Sequence, residues 1–256
     1  MWDHWTELSD SHAKDSKALV FAMPHFSGSS KVYNKHYIAV WYNGSQWAIV
    51  NQDLATMRHN SEFHVRIVSE GENAFVHTAM PLNSEKSWTV IDPPVSDPNA
   101  LVFVMPTWSR NGKEMRVKEN HPIGVWYTGS QWAVINLDGA EMREDTAFNI
   151  QILSPSAANA FFHTATSSNI VENWTIIDNS QIDMAADKLV FVTPRGAPDG
   201  TKVNNARPIG VALYGTQWTI FNQLEDRQST PTDKDAMPEG AEFNILILDE
   251  YATTPP

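Results

Sequence analysis

The side chains best equipped to hold a ligand return along this chain at fixed spacing. His36 and His121 stand two residues ahead of the runs Ile38–Tyr42 and Ile123–Tyr127, and Arg207 takes the matching place ahead of Ile209. Inside the runs lie Trp41 and Trp126, followed by Tyr42 and Tyr127; Gln46, Gln131 and Gln217 come next, the last preceded by Tyr214. On a strand, Trp126 shares a face with Gly124 and Trp41 with Ala39. An indole wall beside so small a residue leaves a shallow recess on which a flat ligand face can stack. Imidazole, guanidinium and amide donors around it are the partners that sugar hydroxyls demand. Where the first two copies have Trp, the third has Ala212, which predicts an indole the fold can do without and turns outward. Packing between copies is the competing use of the same ring.

Catalytic and metal-binding patterns are missing. There is no Gly-x-Ser-x-Gly elbow, phosphate-binding glycine loop or dinucleotide fingerprint, and zero cysteines exclude disulfides, thiolate ligands and thiol nucleophiles. The repeated acids Asp53 and Asp138, or Asp92 and Asp178, lack the spacing of a metal loop, so neither metal nor cofactor is expected. His77 and His163 share strand parity with Phe75 and Phe161 and read as core imidazoles. A catalytic site is usually singular, whereas each local feature here comes two or three times. The leading expectation is a non-enzymatic, multivalent, lectin-like protein whose partners are glycans. The alternatives are a structural or protein-interaction module (an adhesin, toxin component or scaffold) with the same Trp residues at interfaces, and a hydrolase with its site at a module junction.

The charge balance narrows the partners further. Across 256 residues, 18 Lys+Arg face 30 Asp+Glu, a formal charge of -12 with no local basic cluster, which argues against nucleic acid. No stretch approaches the apolar length of a membrane span and no signal peptide is seen, so the expectation is a soluble protein, cytoplasmic or exported by a non-signal route.

The elements that must position these groups come from internal repetition. Trp47, Trp132 and Trp218 recur at steps of 85 and 86 residues, and Asn51, Asn136 and Asn222 follow each by four. Leu19-Val20-Phe21, Leu101-Val102-Phe103 and Leu189-Val190-Phe191 keep a similar step, each leading to a proline. Three modules follow: 1–86, 87–172 and 173–256, the last with an insertion near 225–235 and without a final His-Thr-Ala run. Phe148, Ile150 and Ile152 alternate with Asn149, Gln151 and Leu153, the mark of a strand with one buried face. Gly44, Gly129 and Gly215 mark hairpins. The fold class is therefore all-β, with about six antiparallel strands per module, packed as one pseudo-threefold body or as three small sandwiches. In each module the conserved-position Trp is expected to fill the core and the Asn to brace a turn.

The runs His121-Pro122-Ile123-Gly124-Val125-Trp126-Tyr127 and Gly129-Ser130-Gln131-Trp132-Ala133-Val134-Ile135-Asn136 resemble an uncharacterised bacterial tandem-repeat module. The resemblance covers most of each copy and departs in the third, which has Arg207-Pro208 and Ala212-Leu213. It supports the module boundaries and brings no established activity to carry over.

Overall fold

The computed structural model describes residues 4–26, 32–110, 112–115, 117–179, 185, 187–223 and 235–249. The alternating runs all form strands. The first repeat supplies β1 (Trp5–Glu7), β2 (Leu19–Phe26), β3 (Ile38–Tyr42), β4 (Trp47–Asn51), β5 (Glu62–Val68) and β6 (Ala74–Thr78). The second opens with β7 (Ser84–Glu85) and β8 (Trp88–Val90). It continues through β9 (Leu101–Thr107), the small ribbon β10 (Ser109–Arg110) and β11 (Lys113–Glu114), β12 (Ile123–Tyr127), β13 (Trp132–Asn136), β14 (Ala147–Leu153) and β15 (Ala160–Thr164). The third has β16 (Ile170–Val171), β17 (Trp174–Ile176), β18 (Lys188–Arg195), β19 (Ile209–Tyr214), β20 (Gln217–Asn222) and β21 (Glu242–Asp249). One 3-10 turn, Ser11–Lys14, is the only helical element among the described residues, and none of their helices is long and apolar enough to cross a membrane. Residues 225–234 of the insertion, and those after Asp249, lie outside the described residues.

No repeat builds a large sheet by itself. The three large sheets run β1-β4-β3-β9-β14-β6, β7-β8-β13-β12-β18-β21-β15 and β16-β17-β20-β19-β2-β5. Each joins the first, third and fourth strands of one repeat to the second and fifth strands of the next, and the third repeat returns to the first. The body is a closed pseudo-threefold ring. Between repeats the pairing is mixed: β3 meets β9 at Val40–Thr107, β12 meets β18 at Val125–Arg195, and β19 meets β2 at Val211–His25 and Ala212–Phe26 in parallel, while β14 pairs with β6 and β21 with β15 antiparallel. Within repeats the strands pair antiparallel, as in the hairpin β12–β13, where Gly129 takes the positive φ of 96° that its turn requires.

Each repeat buries one indole, Trp47 and Trp218 in a core cluster that all three repeats share and Trp132 in a second cluster. Trp47, Trp132 and Trp218 are at most 2% exposed. Trp47 Nε1 donates to Asp15 O at 2.9 Å and Trp132 Nε1 to Asp97 O at 2.8 Å, tying each ring to the connection before the second strand. Asn51 Nδ2 donates to Ala55 O, Asn136 Nδ2 to Ala140 O and Asn222 Nδ2 to Ala236 O, so each Asn braces a turn as expected.

The fifth strands correct the one-buried-face reading. In β14, Asn149 and Gln151 are 0% and 7% exposed, because their face packs toward the pseudo-threefold axis instead of solvent. Their polarity serves the ring. Asn149 Nδ2 donates to Val20 O at 2.8 Å, Asn244 Nδ2 donates to Val102 O at 2.9 Å, and at the matching place His64 Nδ1 accepts from Val190 N at 2.9 Å. Second repeat grips first, third grips second, and first grips third. A buried amide or imidazole without such a partner would be costly, so these contacts also specify register across the seams.

Candidate functional site

The residues expected to act together divide between two places. His36, His121 and Arg207 converge at one funnel, whereas Trp41, Trp126 and the hairpin glutamines lie on the outer sheet faces and do not join them. Equivalent positions of all three repeats line the funnel: Pro24, Pro106 and Pro194 beneath, and Ile38, Ile123 and Ile209 around. That threefold lining places it on the pseudo-threefold axis. Its volume is about 640 Å³, including the part open to solvent.

At the rim, each imidazole is held by a carboxylate of its own repeat. His36 Nδ1 lies 2.6 Å from Asp53 Oδ2, and His121 Nδ1 lies 2.7 Å from Asp138 Oδ2. Such a bond fixes ring orientation and leaves Nε2 as the nitrogen for a ligand. Tyr37 sits between repeats: its hydroxyl donates to Ala206 O at 3.5 Å, and burial, followed by the Asp138 carboxylate, pushes its pKa up to about 12 against the opposing pull of Arg207. The phenol therefore stays protonated and able to donate. Gln52, 1% exposed, links the repeats below the rim, its Oε1 accepting from Glu119 N at 3.0 Å while its Nε2 donates to Ile38 O.

Sequence reasoning missed Tyr37, Gln52 and the two aspartates as rim components. One signal could have found the aspartates: each trails its histidine by 17 residues, and where the third copy replaces His with Arg207 it also has Leu224 in place of Asp. Both partners change together. Among the described residues no group of three or more His, Cys, Asp or Glu converges as a metal site would require.

The outer faces carry paired aromatics. Trp41 meets Trp5 edge-on at 5.5 Å between centroids, Trp126 meets Trp88 at 5.3 Å, and Trp174 meets Tyr214 at 4.4 Å. Tyr214, 63% exposed and two residues beyond Ala212, thus supplies the second ring of the third pair. The Trp-to-Ala change consequently does not make that aromatic position dispensable, a correction to the inference from Ala212. Trp41 and Trp126 are half-buried, and Trp108 of the second repeat packs with Trp5 and Trp41 of the first over Ala39 and Val50. The recess expected beside Gly124 is also filled: a Cβ there would stand 2.8 Å from Pro194 O and 3.0 Å from the Leu137 methyls. Gly is needed at this position for the close approach of the next repeat.

The remaining site residues anchor connections or stand free of the funnel. Tyr42 donates to Lys14 O at 3.2 Å and Tyr127 to Ser96 O at 3.0 Å, with each ring edge-on to the core Trp of its repeat. Gln46 and Gln131 flank their hairpins half-buried, and Gln217 is exposed at the start of β20. His77 and His163 are core imidazoles as expected: each Nε2 donates to a threonine hydroxyl, Thr89 at 3.0 Å and Thr175 at 2.9 Å, which donates onward to Asn83 or Asn169.

No curated protein and no solved structure matches the chain. A family model described as "Domain of unknown function (DUF7452)" matches residues 2–67, 47–152 and 151–247, and the second of these matches crosses the boundary between two repeats, as the sheets do. With its three tandem β repeats closed into a ring, the chain belongs to that uncharacterised family.

Proposed function

We propose that the protein is a non-enzymatic, lectin-like binding protein that takes a sugar residue of a glycan at the axial funnel. The observation that carries this reading is the mixed character of the rim, contributed by all three repeats. Arg207 offers only donors, Tyr37 a hydroxyl, and the carboxylate-held His36 and His121 each an Nε2 beside an acidic oxygen. A hydroxyl both gives and accepts a hydrogen bond, so a mixed rim suits a polyol better than a ligand of one charge. Each His–Asp pair lies within one repeat, and among the described residues neither imidazole hydrogen-bonds a serine or threonine hydroxyl, which favours holding a ligand over attacking it. The outer aromatic pairs add three further apolar contacts to a dense glycan surface, and valency then multiplies weak affinities.

A glycan array followed by titration tests the reading. His36→Ala with His121→Ala is expected to lose binding while the fold remains, and Trp41→Ala with Trp126→Ala is expected to retain the axial contact. An array silent to the folded protein would overturn it. The packing of Trp108 against Trp5 and Trp41 favours one second reading, an interaction module whose aromatics serve interfaces. Binding lost in the Trp pair and kept in the His pair would point there.

A further inference from the structure

Behind the funnel is a second axial cavity of about 310 Å³, including the part open to solvent, sharing Met23 and Met105 with it. Its walls are apolar, with Phe21, Phe103 and Phe191 contributed by the three second strands. Directly across the ladders from these rings stand Arg66, Gln151 and Leu246, all lining the cavity. Leu246 is what such a place asks for. Arg66 is not: the residue is half-buried, its Nη1 is enclosed without a hydrogen-bond partner, and no ion pair reaches this side chain among the described residues. Gln151 is 7% exposed and its Oε1 also lacks a partner. Burial alone pulls the Arg66 pKa down, yet a guanidinium still keeps its proton at neutral pH.

A guanidinium nitrogen enclosed without a partner in a mostly apolar cavity is unfavourable unless an acceptor or an anion meets it there. Phe21, Phe103 and Phe191 stand around the cavity, which suits one small monatomic anion better than a tetrahedral oxyanion. We propose that the cavity is a binding site for a single chloride ion, held by the Arg66 guanidinium and by the Gln151 amide turned to present its Nε2–H. The inference does not depend on the sugar reading, since none of the rim groups takes part.

The test compares thermal unfolding of the whole chain in sodium chloride and in sodium gluconate at equal ionic strength. Chloride at ten times its dissociation constant is expected to raise Tm by roughly 3 °C, and bromide to do the same. In Arg66→Met the difference between the two salts is expected to vanish. Equal Tm values for the wild-type protein in the two salts would overturn the proposal and leave a water as the occupant; so would an undiminished difference in R66M. Should R66M not fold, bromide-soaked crystals of the wild-type protein decide: an anomalous peak beside Arg66 supports the site, and its absence at saturating bromide refutes it.

Discussion

In β14 the residues Phe148, Asn149 and Ile150 are fully enclosed, and in β21 so are Phe243, Asn244 and Ile245; in β5 the matching Phe63 and Val65 stay half-buried. The neighbours explain the difference. β14 lies between β9 and β6, and β21 between β18 and β15, whereas among the described residues β5 pairs with β2 alone. Its sequence departs where its surroundings do: His64 replaces the two asparagines, and Arg66 stands where the sister strands have Gln151 and Leu246. Inward charged side chains are one way in which an edge strand resists unwanted pairing. The ring is thus closed by three seams of similar geometry, one of which is built around a titratable, edge-like strand.

That contrast predicts unequal costs for equal substitutions. Phe148→Ala should destabilise by about 3–5 kcal/mol and Phe63→Ala by distinctly less, read as urea midpoints at constant m. Similar losses at both positions would mean that β5 is covered as fully as its counterparts.

Acid should act next most strongly. Burial holds His64, His77 and His163 each down to about 4, with the nearby His25 adding to the effect at His64. Unfolded imidazoles titrate near 6.5, so between pH 6.5 and 4 the unfolded chain binds protons that the folded chain refuses. Stability is full above that window and falls as pH drops through it, by roughly 3 kcal/mol per histidine at most. His64→Asn should keep the seam, its amide donating to Val190 O as Asn149 does to Val20 O, and should remove about a third of the acid loss. Unfolding curves at pH 7 and pH 4.5 measure this, and an unchanged pH slope would count against the imidazole clamp.

Asn149→Ala leaves Val20 O without its cross-seam donor and should cost about 1–3 kcal/mol by the same urea measurement. Smallest of all, Val65→Thr on the half-buried edge should stay within about 1 kcal/mol. A larger loss by thermal denaturation would place Val65 in a packed core.

The repeats were legible because each buries the same large ring in the same place, and Trp47, Trp132 and Trp218 do so with nearly constant spacing. The ring closure was not. Period-two alternation makes Asn149 and Gln151 look like a solvent face, and only the exchange of strands between repeats shows that this face is interior. The candidate site was half visible. His36, His121 and Arg207 were marked by type and position, but their meeting depends on an axis that no single copy contains. Trp126 was read from its small neighbour as lying beside a recess, where steric demand from Leu137 and Pro194 had already filled the space.

Every large sheet borrows strands from a neighbouring copy, so one repeat expressed alone exposes two unfinished borders: its β3-type strand lacks a parallel mate, and its second and fifth strands have no sheet to join. Such a fragment can satisfy its backbone only by recruiting two others like itself. Cut into thirds, this polypeptide should reassemble as a trimer or not fold at all.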